Sequence, residues 1–202
     1  MRVLLVHGLG RTPLSLMFLG LRLARAGHAP EYFGYSATLE HRDRIVERLV
    51  RRLEDLEETG AEVGLIGHSF GGLLLRQAAA RVPGLRVRHF VMLGTPNHPP
   101  RLAPRAWRWL PYRLLRGSCG EALTREDWFA QLPPLAVPHT VVAGTAGWGP
   151  RGPFGGEQND GVVAVAEAAV SAGDPPVLLP VFHTFMMNSG AVERVIRERL
   201  AC

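Results

Sequence analysis

The sequence predicts an α/β fold, a three-layer α/β/α sandwich around a mostly parallel sheet of about six strands. Short apolar runs alternate with longer amphipathic segments, which is the pattern of parallel βαβ units. Within residues 63–72 an apolar strand leads through Gly-x-Ser-x-Gly directly into a helix. A length of 202 residues with 47% hydrophobic composition suits a single full core. We therefore expect one domain over residues 1–202.

Each predicted strand is a short apolar run, and each predicted helix has helical periodicity or strong helix formers. The predicted strands are 2–6, 31–35, 63–67, 89–94, 139–144 and 177–182. The predicted helices are 13–27, 41–59, 71–82, 121–131 and 189–200, with a shorter one around 163–171. The helix 71–82 is apolar nearly all round, which is typical of a helix buried behind a sheet.

Ser69 lies at the turn between the third predicted strand and the helix that follows it. Glycines flank it at positions 67 and 71, where a side chain would collide with the neighbouring strand or helix. A serine on such a strained turn is a candidate nucleophile. The amide of Phe70 would then lie at the helix N-terminus, where an oxyanion is stabilised.

The chain opens with a second motif, a short apolar strand that ends in His7-Gly8. Taken alone, this is better explained as a buried strand and its turn. Because the Ser69 motif follows about sixty residues later, a second interpretation is favoured. Gly8 permits a backbone path that brings the amide of Leu9 beside that of Phe70, so the two could form an oxyanion hole.

Four histidines follow the serine motif as candidate bases. His89 and His139 each begin an apolar run, so they would lie at the amino ends of strands, away from the edge that carries the site. His98 follows a strand, but no suitable acid lies between it and Ser69. His183 follows the last strand and precedes the final helix, and it is the favoured base.

The base needs an orienting carboxylate, and three acids are available. Asp160 follows the fifth strand and lies between Ser69 and His183 in the chain, which favours it. Glu157 is close by in a glycine-rich loop, and Asp174 lies in a Gly-Asp-Pro-Pro turn. Asp160 precedes a glycine, so a simple turn role is the alternative for it as well.

Four motifs resemble those of the α/β-hydrolase superfamily, in particular its compact bacterial lipases and esterases. They are His7-Gly8-Leu9-Gly10, Gly67-His68-Ser69-Phe70-Gly71-Gly72, Leu93-Gly94-Thr95-Pro96-Asn97-His98 and Asn159-Asp160-Gly161-Val162-Val163. The resemblance covers residue 3 to about 183. It implies Ser69 as nucleophile, Asp160 as acid and His183 as base, with the amides of Leu9 and Phe70 as oxyanion donors. Where similar lipases often continue with Gly-Ser, this chain has Pro99-Pro100, so it leaves the strand along a different route.

The resemblance implies a serine hydrolase that cleaves carboxylic esters, small-molecule or lipid, through an acyl-enzyme. Thioesterase, amidase and acyltransferase activity would use the same residues. A non-catalytic binding protein on this fold is a further alternative. We expect no cofactor and no metal, since acyl transfer needs neither and the sequence has no cluster with metal-ligand spacing.

Residues 97–138 form the one irregular stretch, and similar proteins carry a cap or lid there. Trp107 and Trp109 are candidate substrate-binding residues in this cap-like insertion. The alternative is an amphipathic helix packed into the core. A weak contact with a membrane surface is a third interpretation, because arginines accompany the aromatic residues.

All 23 basic residues are arginine, and 18 acidic residues leave a net charge of +5. An anionic partner or a codon bias could produce this composition. The arginines are dispersed, so we expect no nucleic-acid partner. The apolar run before His7 is too short for a signal peptide, which predicts a cytoplasmic location with Cys119 and Cys202 reduced and unpaired.

Overall fold

The computed structural model describes residues 1–201 and has one six-stranded sheet in the order β2-β1-β3-β4-β5-β6. The strands are β1 Arg2–Val6, β2 Ala29–Phe33, β3 Val63–His68, β4 Val87–Leu93, β5 His139–Gly144 and β6 Val177–Leu179. All neighbouring strands are parallel. The predicted α/β class is confirmed, and the sheet is wholly parallel where the sequence predicted a mostly parallel one.

The helices agree with the predicted alternation outside the insertion. They are α1 Met17–Arg25, α2 Arg42–Glu57, α3 Phe70–Ala79, α4 Ala103–Trp107, α5 Leu110–Ala122, α6 Glu126–Ala130, α7 Val165–Ala168 and α8 Gly190–Ala201. Short 3-10 helices cover Pro13–Leu16 and His183–Asn188. Among residues 1–201, no helix is both long enough and apolar enough to cross a bilayer.

The strand register brings the functional loops to one edge of the sheet. Val6 of β1 lies beside Gly67 of β3, and His68 lies beside Leu93 of β4. The loops after β1, β3 and β4 therefore leave the sheet side by side. In a parallel sheet this carboxyl edge is where ligands bind.

Buried apolar side chains cover both faces of the sheet. On one face Leu49 of α2 and Leu74 of α3 pack over Leu65. On the other face Leu19 of α1 and Ile196 of α8 belong to the same cluster as Ile66. Because β3 alternates its side chains between the two faces, a continuous apolar strand is required at its position.

The insertion differs from the prediction in its helix bounds. The predicted helix 121–131 is wrong, because the structure ends α5 at Ala122 and begins a new helix at Glu126. The two helices before α6 each have a proline in the first turn, Pro104 in α4 and Pro111 in α5. Gly117 has non-helical angles, φ 45° and ψ −143°, and produces a kink inside α5.

The insertion is part core and part surface. Trp128 and Phe129 of α6 are buried in the main core, and the Trp128 ring lies 6.1 Å from that of Phe70. Trp109, before α5, is 66% exposed. The packed-helix interpretation therefore describes the second half of the insertion, and the first half is left on the surface.

Candidate active site

Ser69 has a strained backbone at the junction of β3 and α3. Its φ of 52° makes it the one non-glycine residue with positive φ within residues 1–201. Such a conformation costs on the order of 1–3 kcal/mol and is found mainly at functional sites. A Cβ at Gly67 would lie 2.4 Å from Gly72 Cα, and one at Gly71 would lie 2.4 Å from the His7 carbonyl oxygen. The turn therefore requires glycine on both sides of the serine.

Asp160 and His183 form a buried, hydrogen-bonded pair. His183 Nδ1 lies 2.7 Å from Asp160 Oδ2, and Asp160 is 2% exposed. The other carboxylate oxygen accepts the amides of Val162 and Val163, at 2.9 and 2.7 Å. Two amides on one oxygen hold the carboxyl group in a single orientation. The carboxylate is therefore fixed as the acceptor for the Nδ1–H of the imidazole.

Ser69 lies next to this pair through β4. Its amide donates to the Leu93 carbonyl at 2.8 Å, and Gly94 follows Leu93 in the chain. A Cβ at Gly94 would lie 2.9 Å from His183 Nδ1 and 3.0 Å from Asp160 Oδ2. The structure thus joins Asp160 to His183 and places both against Gly94, the residue that follows the partner of the Ser69 amide. Within residues 1–201, neither the Ser69 hydroxyl nor His183 Nε2 forms a hydrogen bond with another protein group.

The loop after β1 approaches the serine closely. A Cβ at Gly8 would lie 3.1 Å from the Cβ of Ser69, so only glycine leaves room there. The amide of Leu9 follows in this loop, and the amide of Phe70 begins α3. In the described chain no protein acceptor is bonded to either amide. Neither amide is therefore bonded within the described protein, and the N-terminal end of the α3 dipole favours negative charge beside Phe70.

His7 braces this loop, a role that the sequence analysis did not assign to it. The amide of Tyr35 donates to His7 Nε2 at 3.3 Å, so Nδ1 carries the proton and donates to the Gly8 carbonyl at 2.9 Å. The two rings stack with centroids 4.3 Å apart. Burial lowers the pKa of His7, which keeps the imidazole neutral and suited to both bonds.

His68 braces the base in a similar way. Its Nε2 donates to the His183 carbonyl at 3.1 Å, and the two rings lie 4.9 Å apart. Burial, and next the neighbouring His183, hold the pKa of His68 well below its ordinary value. A neutral ring can lie against an imidazole that gains a proton during a reaction without adding a second charge.

A cleft of about 450 Å³ opens beside the pair. Asp160 and His183 line it together with Trp148, Phe182 and Phe185, which the sequence analysis missed. The sequence feature that could have predicted them is the presence of aromatic residues in the two loops that carry Asp160 and His183. These side chains could hold the apolar part of a substrate.

Trp107 and Trp109 do not line this cleft. The Trp107 ring meets Tyr112 edge-on at 6.4 Å and is partly buried. Trp109 stands in solvent. Their role in substrate binding stays a prediction.

The two competing acids have other partners. Glu157 forms an ion pair with Arg101 at 2.7 Å, and the hydrogen bond from this guanidinium, together with its charge, lowers the pKa of the carboxyl. Asp174 lies 2.6 Å from His139 Nε2, at the amino edge of the sheet where β5 begins. Neither acid contacts His183.

The potential ligands of a metal are dispersed. In the part of the chain that the structure describes, no three His, Cys, Asp or Glu side chains are gathered where they could hold a metal ion. Cys119 is buried and free, and burial raises the pKa of its thiol to about 12. The other predicted free thiol, Cys202, lies outside the described residues.

A comparison with protein-family models decides the family. Residues 3–198 match the model described as the alpha/beta hydrolase family. The chain belongs to the α/β-hydrolase family. The members of this superfamily are generally hydrolases, and the predicted resemblance is confirmed. No curated protein matches this α/β-hydrolase significantly.

Solved structures confirm the fold of this α/β-hydrolase. The mature form of a Bacillus licheniformis lipase is 20% identical with a TM-score of 0.74, over 98% of this chain and 91% of that one. A phospholipase from Legionella pneumophila is 20% identical with a TM-score of 0.64, over 84% of this chain and 46% of that one. The thioesterase domain of the curacin biosynthetic pathway is 15% identical with a TM-score of 0.65, over 100% and 91%. At such identities the likeness concerns the fold.

Proposed function

We propose that this α/β-hydrolase cleaves carboxylic esters through an acyl-enzyme on Ser69. One observation carries the proposal: a serine in a strained strand-to-helix turn lies at the same sheet edge as a buried His183–Asp160 pair. The pair leaves Nε2 of His183 free of other protein partners in the described chain, and a general base needs such a nitrogen.

The first half of the reaction acylates the serine. His183 Nε2 takes the hydroxyl proton as Ser69 Oγ attacks the carbonyl carbon of the ester. Asp160 keeps the proton of His183 on Nδ1 and stabilises the imidazolium that forms. The amides of Leu9 and Phe70 stabilise the oxyanion. The imidazolium then protonates the departing alcohol, and the acyl group stays on Ser69.

Water completes the reaction along the reverse route. His183 takes a proton from a water molecule, and the resulting nucleophile attacks the acyl carbonyl. The bond between the acyl carbon and Ser69 Oγ breaks, the imidazolium returns its proton to Oγ, and the carboxylic acid leaves. The hydrogen bond between the Ser69 hydroxyl and His183 Nε2 forms in the complex with substrate, since catalytic hydrogen bonds often tighten only there. Thioesters and amides would pass through the same steps, with a thiol or an amine as the leaving group.

The test is hydrolysis of p-nitrophenyl esters of graded chain length, with matched acyl thioesters and amides as competing substrates. We expect wild-type protein to cleave at least one ester in the series and Ser69→Ala to cleave none of them measurably. Ser171 is exposed and lies in a turn, so Ser171→Ala is the matched control and should retain wild-type turnover. If the protein cleaves thioesters or amides but no ester, the proposed substrate bond is wrong and the proposed roles of the residues remain. Equal activity in Ser69→Ala and wild-type protein would overturn the proposal.

A further inference from the structure

The first half of the insertion forms a surface that is both apolar and cationic, and we call residues 101–116 the cationic ridge. Its exposed apolar side chains are Trp109 at 66%, Leu110 at 59%, Leu114 at 67% and Leu115 at 50%. Between His98 and Gly120 the sequence has five arginines and no aspartate or glutamate. Of these arginines, Arg101 is paired with Glu157 and Glu167.

The helix α5 arranges the ridge as an amphipathic element. Leu110 and Leu114 are one turn apart and share a face. The guanidinium of Arg113 lies 5.7 Å from the ring centre of Trp107, and that of Arg116 lies 5.9 Å from that of Tyr112. Positive charge and aromatic surface are therefore intermixed along the ridge.

The ridge borders the candidate active site on the side of the oxyanion loop. A Cβ at Gly10 would lie 2.2 Å from Cζ of Arg116, and Gly10 directly follows Leu9. The Thr38 hydroxyl donates to the Leu115 carbonyl at 2.7 Å and fixes α5 against the loop after β2. The ridge is thus held beside the loop that would bind the oxyanion.

A second group of exposed aromatic residues stands on the His183 side. Trp148 is 58% exposed, Phe182 54% and Phe185 63%, and all three line the cleft that contains His183. Large apolar side chains thus stand in solvent on both sides of the site. A monomer in water rarely exposes such groups together without a binding role.

We propose that the cationic ridge docks this α/β-hydrolase onto an anionic lipid surface, with the mouth of the site facing the lipid. Tryptophan and leucine enter the headgroup region, and arginine binds lipid phosphate. A second copy of the chain is disfavoured as the occupant, because two ridges of the same charge would repel each other. The inference deepens the proposed function by naming lipid esters as substrates, although docking itself does not depend on catalysis.

The experiment measures co-sedimentation of the full chain with phosphatidylcholine vesicles and with vesicles that also contain phosphatidylglycerol. The Ser69→Ala protein is used, so that no lipid is consumed and failure of the proposed reaction leaves the result intact. We expect binding to the anionic vesicles that weakens as salt rises. An arginine near such a surface contributes about fivefold in affinity, so Arg105→Gln with Arg108→Gln should weaken binding about 25-fold.

Matched controls separate the ridge from general charge and hydrophobicity. Arg51→Gln with Arg194→Gln removes two exposed arginines elsewhere, and Leu178→Ala removes an apolar side chain of the edge strand β6. Both controls should bind as the parent protein does, whereas Trp109→Ala with Leu114→Ala should bind weakly. The proposal would be overturned if the protein bound neutral and anionic vesicles equally, or if the control variants lost as much binding as the ridge variants. It would also be overturned if the protein bound no vesicles and instead formed a dimer that Trp109→Ala dissociates.

A second inference rests on a separate observation, the contacts of the segment that follows β4. The Thr95 hydroxyl donates to the Ser69 carbonyl at 3.0 Å. The buried side chain of Asn97 accepts from Arg76 of α3 at 2.9 Å and donates to the Ala168 carbonyl at 2.8 Å. Asn97 therefore connects the helix behind Ser69 with the end of the segment that carries Asp160.

We infer that Asn97 is a positioning residue that holds the loop of Asp160 in register with Ser69. This rests on the proposed function. Asn97→Asp keeps an acceptor for Arg76, but it replaces the donor to Ala168 by a carboxylate oxygen that repels that carbonyl. We expect its kcat on the best ester to fall about tenfold or more with KM nearly unchanged, because displacing a catalytic group by about 1 Å can cost about 10²-fold.

The split between kcat and KM, measured beside the melting temperature, distinguishes positioning from a merely structural role. If Asp160 moves away from His183, kcat falls in protein that is fully folded at the assay temperature, because the imidazole loses its orienting partner. A merely structural role would lower the melting temperature and leave kcat of the folded protein unchanged. Asn188→Asp, at an exposed asparagine, is the control and should change neither kcat nor KM. A wild-type kcat in Asn97→Asp would overturn the inference, whereas an active Ser69→Ala would instead overturn the proposed function.

Discussion

The molecule contains two histidine–aspartate pairs, one at each edge of the same sheet. His183 and Asp160 meet at 2.7 Å beyond the carboxyl ends of the strands, and His139 and Asp174 meet at 2.6 Å at the amino edge. By distance alone the two pairs are equivalent. Their surroundings differ in three respects, and those differences decide which pair can act as a base.

The first difference is burial, since the side chain of Asp160 is 1% exposed and that of Asp174 is 43% exposed. The second is the remaining ring nitrogen. His139 Nδ1 lies 2.9 Å from the Val137 carbonyl, so both of its nitrogens face acceptors, whereas in the described chain His183 Nε2 has no protein partner. The third is the strained Ser69 beside His183. A short bond therefore does not distinguish the two pairs, whereas the free nitrogen on the side of the candidate nucleophile favours the pair at the carboxyl edge as the proposed base.

The largest expected effect is that of Ser69→Ala, which tests whether the carboxyl edge holds the nucleophile. Turnover of the best ester should fall by a factor on the order of 10³ or more, because no other group can form the acyl-enzyme. Circular dichroism and the melting temperature should show a retained fold. If more than about a tenth of wild-type turnover survives, the nucleophile lies elsewhere.

The next effect separates the two aspartates directly. Asp160→Asn should lower kcat about 10⁴-fold, because the imidazole loses its orienting charge and its tautomer. Asp174→Asn should leave kcat within about twofold, since Asp174 lies at the opposite edge of the sheet and bonds to His139 instead of His183. Glu157→Gln should likewise leave kcat within about twofold, since an exposed ion pair contributes little. Steady-state kinetics of the three variants on one ester measures these effects. An inactive Asp174→Asn would show that the acid is Asp174 and that the assignment of Asp160 is wrong.

A smaller effect concerns binding of the acyl chain, and it separates substrate binding at the carboxyl edge from the chemical step. If Trp107 and Trp109 bind the acyl chain, replacing both by alanine should weaken octanoate esters more than acetate esters, by about 0.8 kcal/mol for each methylene that loses contact. The measurement is kcat/KM for both esters in both proteins. The same change at Trp148 is the matched comparison, because Trp148 lines the cleft beside His183. An equal loss on the two esters would show that Trp107 and Trp109 are structural.

The smallest effect concerns the free energy of unfolding. It comes from His7 and His68, which are buried and, unlike His183 and His139, have no carboxylate partner among the described residues. Burial lowers the pKa of both, whereas in the unfolded chain they titrate near the ordinary value of about 6.5. The unfolded state therefore binds more protons below that pH. The free energy of unfolding should fall as pH decreases below about 6.5, by at most about 1.4 kcal/mol per pH unit for each residue, until pH is below the pKa of that residue in the folded protein. Urea unfolding measures it.

The control for this slope is a histidine on the surface. His68→Asn should flatten the dependence on pH, and His41→Asn, at an exposed position, should not. A slope unchanged in His68→Asn would mean that His68 is protonated in the folded protein.

The sequence predicted those parts of the site that local patterns determine. The apolar strands that end at His7 and His68 and the glycines around Ser69 are contiguous signals, and the structure has the strands and the turn there. His183 was selected by its place after the last strand, and Asp160 by its place between Ser69 and His183. The structure joins them, although no local signal states that they touch.

Contacts between distant residues could not be predicted. His139 and Asp174 were set aside separately, and their pairing across 35 residues depends on how β5 and the turn before β6 pack. The cleft residue Trp148 lies in a loop whose path follows from a bond of its amide to Asn159. The bounds of α5 depend on a kink at Gly117, which a helical pattern does not reveal.

The most direct test of the central claim is the rate at which a fluorophosphonate labels the protein, followed by intact mass and peptide mapping. Wild-type protein should take up one label, on Ser69. His139→Ala should react at the wild-type rate, and His183→Ala should react slower by about two orders of magnitude or more, because the base that activates the serine is gone. Labelling at another residue, or an equal loss of rate in His139→Ala and His183→Ala, would contradict the assignment of the pair at the carboxyl edge.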